Sequence, residues 1–152
     1  MSLRVTLRPV RADEKVTYFD VTVRNDGQDG TFYAQCEIED RRPQSKATRR
    51  DFTFNIVWLH HHRSRELRLA HEESQTLRLG YMLTAADQTL VDFSEWSNGG
   101  ISNFSREYIR AQDEVEWDLL ITVFQADNGN YKNAFTLVKH ADGTFSVTQR
   151  GV

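Results

Sequence analysis

Three histidines, His60, His62 and His71, come nearest in type and spacing to a metal site. Imidazole is the commonest side-chain ligand for transition metals. Successive side chains of a strand point to opposite faces, so His60 and His62 could converge from one strand and His71 would have to come from the next. Arg63 and Arg65 stand beside them and would repel a cation. The pattern therefore favours an exposed loop tip over a bound metal, with these three histidines as the candidate ligands.

Covalent catalysis has one candidate thiol, Cys36, which as the single cysteine also excludes an internal disulfide. It alternates with Ala34 and Ile38 in an apolar series, which places it in the core, where a thiol is unreactive. The sequence contains no Gly-x-Ser-x-Gly elbow, no glycine-rich phosphate loop and no His-Glu-x-x-His motif. Strand carboxylates that could pair as in a glycosidase are present, but nothing singles out two of them. We therefore expect no enzyme activity and no cofactor.

Aromatic side chains on polar surfaces are the remaining candidates for binding. Tyr18 and Tyr33 fall on the polar sides of two alternating segments, and Trp96 lies in a polar segment that ends in two glycines. Exposed rings of this kind stack on sugars or anchor protein interfaces. The alternative is that a second sheet, a long loop or another subunit covers the two tyrosines as core.

Charged residues cluster in two segments of opposite sign. Residues 41–50 carry five positive charges without an aromatic ring, and residues 113–118 carry four acids. The net charge of -3 and the lack of stacking platforms beside the basic segment argue against nucleic acid as the partner. Both segments are interpreted as solvated surface, and docking of one on the other in a neighbouring molecule is the alternative.

Alternation of apolar and polar residues with a period of two predicts strands along most of the chain. Residues 16–24 and 31–40 are the clearest cases. The turn residues between them predict a hairpin in which Val23 lies opposite Phe32. The two candidate tyrosines then share the polar face of this hairpin.

The last third of the chain predicts a three-stranded meander. Its first two strands flank an Asp-Asn-Gly-Asn turn, with Ala126 expected opposite Tyr131. A second turn at residues 141–143, whose glycine can take the left-handed conformation, sets Phe145 opposite Lys139.

The middle of the chain is less regular. Apolar series at residues 52–58, 67–69 and 77–83 predict three more strands, the last two joined as a hairpin. From residue 84 onward the pattern weakens. We expect a crossover loop there, with one short helix at most, at residues 103–112.

Two short segments carry a family resemblance. Residues 19–27, FDVTVRNDG, place Val21, Val23, Asn25 and Gly27 at every second position, and residues 73–79 read ESQTLRL. They resemble the early strand and turn, and the mid-domain strand entry, of bacterial immunoglobulin-like sandwich domains of the adhesion-related type. The paired cysteines of antibody domains are absent. The resemblance implies a non-catalytic binding or assembly module, and it transfers no functional residue.

The sequence as a whole predicts one domain over residues 1–152, an all-β antiparallel immunoglobulin-like sandwich of about nine or ten strands. The expected function is a non-catalytic protein-interaction or assembly module, and a carbohydrate-binding module is the alternative. A protein partner or self-association is expected first, then carbohydrate, with no nucleic acid. No run approaches the roughly 18 apolar residues of a membrane span, so no membrane partner is expected. The chain is expected to be cytoplasmic if it is complete, and it could be extracellular if it is an excised domain.

Overall fold

The computed structural model of the protein describes residues 2–40, 52–56, 58, 65–85, 87–93, 106–125 and 129–151. These residues form eleven strands and no helix, and they contain no helix long and apolar enough to cross a membrane. The strands are β1 (Leu3–Arg11), β2 (Val16–Asn25), β3 (Gly30–Asp40), β4 (Phe52–Ile56), β5 (Leu67–Leu69), β6 (Ser74–Thr84), β7 (Gln88–Phe93), β8 (Arg106–Arg110), β9 (Val115–Gln125), β10 (Gly129–Lys139) and β11 (Phe145–Arg150).

The strands build two antiparallel sheets. Sheet A has the strand order β1-β2-β6-β7-β8, and sheet B has the order β11-β10-β9-β3-β4, with β5 also paired to β3. The core lies between them, and Phe19 of sheet A meets Phe145 of sheet B edge to face with ring centroids 5.5 Å apart. The predicted all-β antiparallel sandwich is confirmed, with eleven described strands where about nine or ten were expected.

The connection from β2 to β3 passes from one sheet to the other. The predicted hairpin is wrong, because Val23 pairs with Val5 of β1 and Gln75 of β6, whereas Phe32 pairs with Gln125 of β9. Alternation identifies the side chains that face the core. It does not distinguish a neighbour joined by hydrogen bonds from one that packs across the core.

Asn25 fixes this crossing with its side-chain amide. The residue is only 1% exposed, and its Nδ2 donates to the carbonyls of Gln28 at 2.8 Å and Leu69 at 3.1 Å. Its Oδ1 accepts from the Gly27 backbone N–H at 3.0 Å. Because Leu69 belongs to β5, one buried amide ties the end of β2 in sheet A to sheet B.

The connection from β5 to β6 also changes sheet, so the hairpin predicted there is wrong. Strand β5 pairs with β3 in sheet B, and β6 pairs with β2 in sheet A. Glu72 at this crossing has a φ of 66°, the left-handed region that non-glycine residues rarely adopt. Its backbone N–H donates to the Asn25 carbonyl at 2.6 Å, which holds that conformation.

A β-bulge in β6 reverses the alternation of that strand. Phe19 pairs with Gly80, but the next residue, Asp20, pairs with Arg78, so Leu79 is the extra residue. Leu79 and Gly80 are both buried. Tyr81 and Leu83, which follow the bulge, therefore point away from the core, whereas Met82 between them points into it.

The C-terminal meander forms with one register as predicted and one different. Lys139 pairs with Phe145, as expected, and Gly143 has the left-handed φ of 86°. Tyr131 pairs with Val123, three residues from the expected partner Ala126, which lies outside the described residues. Strand β10 begins earlier than expected, at Gly129, whose φ of 88° makes a tighter turn possible.

The segment expected to be a crossover loop contains two strands. Strands β7 and β8 pair with each other, and β7 pairs with β6, which completes sheet A. The predicted short helix is wrong over residues 106–110, and residues 103–105 lie outside the described chain. Tyr108 is exposed and Ile109 is buried, but an alternation of so few residues does not separate a strand from a helix in the sequence.

Candidate functional site

The candidate tyrosines lie on different sheets. Tyr18 belongs to β2 of sheet A and Tyr33 to β3 of sheet B, and both are half-buried. Each alternates with buried residues of its own strand, so the two rings lie on opposite outer surfaces of the sandwich. The shared face expected from a β2–β3 hairpin therefore does not form.

Tyr18 packs against an ion pair on the outer face of sheet A. The guanidinium of Arg78 lies 3.8 Å from the ring centroid of Tyr18. Arg78 also donates to both carboxylate oxygens of Asp20, at 2.8 and 3.2 Å. Tyr81 meets Tyr18 edge to face at 6.4 Å. The bidentate pair neutralises the charge beside the ring, which leaves this part of the face without a net charge from the two residues.

Apolar side chains continue from Tyr18 across all five strands of sheet A. One row of paired residues runs Val10–Tyr18–Tyr81, and the next runs Val16–Leu83–Leu90–Tyr108. These two rows, hereafter the sheet A patch, consist of Val10, Val16, Tyr18, Tyr81, Leu83, Leu90 and Tyr108.

The sheet A patch holds the most exposed large apolar side chains of the described chain. Val10 is 41% exposed, Leu83 38% and Tyr108 65%. Leu83 and Tyr81 reach this surface because the bulge in β6 turns them outward. Sequence reasoning missed Leu83 and Tyr108, and Gly80 inside an otherwise regular strand was the one signal of a bulge.

Charged residues border the patch at its two ends. Arg8 pairs with Asp20 in the register just beyond the Val10 row. Beyond the Val16 row, the β1–β2 turn carries Glu14 between Asp13 and Lys15. Asp13 Oδ1 accepts from the backbone N–H groups of Lys15 at 2.7 Å and Val16 at 2.9 Å. These hydrogen bonds lower the pKa of Asp13 and keep the turn tight.

Tyr33 has a different environment on the outer face of sheet B. Its ring stacks on Phe124, with centroids 4.8 Å apart and an interplanar angle of 11°. Each ring therefore covers one face of the other. Around them the face is polar, with Glu37 exposed and Asp118 held by Thr136 at 3.0 Å. Stacking therefore leaves at most one face of each ring for contact with a ligand.

The remaining predicted site residues are dispersed or undescribed. His60, His62 and Trp96 lie outside the described residues, so no geometry tests them. His71 is exposed, with Nδ1 2.7 Å from the Gly27 carbonyl oxygen and Nε2 3.6 Å from Glu72. Within the described ranges, no three His, Cys, Asp or Glu residues are grouped to hold a metal. The preference for an exposed loop tip over a metal bound by these histidines stays a prediction.

Cys36 lies in the core, as its alternation predicted. It has no exposed surface, and burial, with a smaller contribution from the charge of Glu37, raises the pKa of its thiol. A thiolate is the nucleophilic form of cysteine, and burial disfavours it. Cys36 is a packing residue.

Lys139 is a buried cation that sequence reasoning did not single out. Its side chain has no exposed surface, and Nζ donates to the carbonyls of Ala111 and Asp113 at 2.8 Å and of His140 at 3.3 Å. Burial lowers the pKa of Lys139, and the nearby acids oppose that shift. The ammonium joins the β8–β9 turn to the end of β10. In the sequence, its burial could have been inferred from its position two residues after Leu137 in a series of inward-facing residues.

A groove of about 520 Å³ lies beside the edge strands β1 and β11. Its lining includes Thr6, Leu7, Arg8, Val147 and Gln149. Among the described residues that line it, Arg8 is the one with an ionisable side chain. General acid–base catalysis needs positioned groups that exchange protons, and an arginine that stays protonated does not supply them.

No protein-family model and no curated protein matches this chain. Any assignment of function therefore depends on the fold and on the two outer faces described above.

Proposed function

We propose that this chain is a non-catalytic protein-interaction or assembly module that binds through the sheet A patch. The observation that carries the proposal is the position of Val10, Leu83 and Tyr108, which are exposed together on one sheet face. A contiguous exposed apolar surface bordered by charge is typical of an interaction site in a soluble protein.

The composition of the patch supports a protein partner over a sugar. A sugar stacks on an open, flat aromatic face, but one face of the Tyr18 ring lies under Arg78. The rings of Tyr18 and Tyr81 are inclined by 62°, so they do not form a common plane. Aliphatic side chains such as Leu83 beside tyrosines are what a protein interface buries.

Carbohydrate binding through Tyr18, Tyr33 and Trp96 is the alternative. The feature in its favour is the Tyr33–Phe124 pair, a stacked aromatic pair on a polar face. Each ring of that pair has one face that the other does not cover.

The finer assignment, an immunoglobulin-like domain of the adhesion-related type, is part of the same proposal. The neighbours β1-β2-β6 and β10-β9-β3 correspond to the A-B-E and G-F-C strands of immunoglobulin sandwiches. The chain departs from that pattern beyond β6, because its next neighbour β7 follows it in the sequence, whereas strand D precedes strand E. The two central trios of strands support the resemblance.

Affinity capture with matched variants tests the proposal. Tagged wild-type chain, Leu83→Arg and Leu120→Arg would be expressed in the cells that produce the protein, and their bound proteins compared. Leu120 is a half-buried residue on the outer face of sheet B and serves as the control. We expect a partner that wild type and Leu120→Arg retain and Leu83→Arg loses. Capture that is unaffected by Leu83→Arg, or glycan binding that Tyr33→Ala abolishes, would contradict it.

A further inference from the structure

We infer that the occupant of the sheet A patch is a second copy of this chain, placed by a two-fold axis that runs across the strands. The inference rests on the proposed function and names its partner. Two observations carry it: the two rows of the patch and the charges at its ends.

The two rows of the patch complement each other on β2 and β6. A two-fold axis between face-to-face copies lies in the plane of their interface. If it crosses the strands midway between the rows, the row of Tyr18 and Tyr81 in one copy covers the row of Val16 and Leu83 in the other. On β7 and β8, Leu90 and Tyr108 come opposite the register positions of Asp92 and Arg106. Tyr18 then lies over Val16 of the second copy, and Tyr81 lies over Leu83. Rings against branched aliphatic side chains fill an interface without leaving the gaps that two rows of rings would leave.

The same axis brings opposite charges together at both ends of the interface. Arg8 lies beyond the Val10 row, and Glu14 lies in the β1–β2 turn beyond the Val16 row. Both are at the same edge of sheet A. Neither side chain forms an ion pair with any part of the chain that the structure describes. In the two-fold arrangement, Arg8 of each copy approaches Glu14 of the other. The Asp20–Arg78 pair, which lies in the same register as Arg8, is already neutralised and adds no net charge at that end.

The overlap that this axis allows is small. The two rows lie at one end of sheet A, at the last residues of β1 and the first residues of β2, so an axis between them leaves the opposite end of these strands uncovered. A standard protein interface buries about 800 Å² on each partner. The two-fold contact is smaller than that, so we expect a weak dimer that forms in the upper part of the concentration range.

Sedimentation velocity of the purified full chain tests the inference over about a hundredfold range of concentration. Wild-type protein should change from monomer to dimer, with no larger species, because an isologous interface closes on itself. Leu83→Arg should remain monomeric throughout, since it places a charge at the centre of the contact. Leu120→Arg should dimerise like wild type. Circular dichroism would verify that each variant keeps its strand content.

Charge reversal tests the arrangement itself. Arg8→Glu and Glu14→Arg should each weaken the dimer by on the order of tenfold, because two exposed ion pairs become two repulsions. Mixing the two single variants should restore association as a heterodimer, in which both contacts again join opposite charges. A merely destabilising substitution would not be rescued in this way.

Each failure has a distinct meaning. A monomer at every concentration, or a dimer that persists in Leu83→Arg, overturns the second copy as occupant. Loss of the dimer in Leu83→Arg without any response to the charge variants overturns the two-fold arrangement. The proposed function is judged separately: a captured protein of any sequence that Leu83→Arg loses and Leu120→Arg retains supports it, even where the chain does not dimerise.

Discussion

The outer faces of the two sheets differ in how their aromatic side chains are covered. On sheet B, Tyr33 and Phe124 stack on each other, and polar groups surround the pair. On sheet A, Tyr18 lies under an arginine on one side and is continued by apolar residues across every strand. An outward-facing tyrosine is therefore not by itself a binding residue. Whether it can bind a partner depends on whether neighbouring side chains cover its ring or extend it into a larger apolar surface.

The largest expected effect compares adjacent residues of sheet B. Phe32→Ala removes a ring that is 1% exposed and should lower the free energy of unfolding by about 3 to 5 kcal/mol. Tyr33→Ala removes a half-buried ring and its contact with Phe124 and should cost about 1 to 2 kcal/mol. Urea denaturation measures both. Equal losses would mean that the outer face of sheet B is core, and the comparison of the two faces would fail.

The next effect tests the Asp20–Arg78 ion pair beside the sheet A patch. Arg78→Met leaves the Asp20 carboxylate, whose side chain is 14% exposed, without its bidentate partner. We expect a loss of about 2 kcal/mol, less than the roughly 3 to 5 kcal/mol of a fully buried pair. The double variant Arg78→Met with Asp20→Asn should recover part of it. Chemical unfolding of wild type, the two single variants and the double variant would show this, and additive losses would mean that the pair is not coupled.

A smaller effect comes from the charged end of sheet A, far from the patch. Hydrogen bonds from Arg4 and Arg24 lower the pKa of Asp26 to about 2. A lowered carboxylate pKa contributes stability that is complete above its ordinary 3.8 and is lost as the pH falls toward about 2. As the pH falls across this range, the free energy of unfolding of wild type should therefore decrease more steeply than that of Asp26→Asn. Parallel slopes would contradict the pairing, and Glu14→Gln is the control because its carboxylate has no described partner.

The smallest expected effect is on the most exposed residue of the sheet A patch. Tyr108→Ser removes a ring that is 65% exposed, so the unfolding free energy should change by no more than about 0.5 kcal/mol. The measurement is urea denaturation at a concentration where the chain is monomeric. A loss comparable to that of Tyr33→Ala would show that strand β8 packs under a cover, and the exposed face of sheet A would be smaller than described.

The alternation in the sequence predicted which side chains face inward or outward better than it predicted which strands pair. Val23 and Phe32 both face the core, as expected, and both strands exist, but they pack across the sandwich instead of pairing. The information that separates these cases lies in the crossing, where the amide of Asn25 binds Leu69, a residue far along the chain. Long-range contacts of a single polar group leave no periodic signal.

The β10–β11 register was predictable because its turn is short and local. Gly143 fixes the turn, and the pairing of Lys139 with Phe145 follows from it. The candidate site was predictable only in part. Tyr18 and Tyr33 do face outward on strands, but their assignment to one surface depended on the wrong pairing. Leu83 could not be found by counting every second residue, because the bulge changes the count.

The bulge in β6 also marks a place where the gene could lose one codon without turning the sheet A patch inward. Leu79 is accommodated without a partner, between the pairs Asp20–Arg78 and Phe19–Gly80. An in-frame deletion of its codon would leave Gly80 opposite Phe19 and Tyr81 opposite Tyr18, so regular alternation would resume with Tyr81 and Leu83 still facing outward. The loss would be one of stability, through the buried side chain of Leu79, and the exposed surface would be kept.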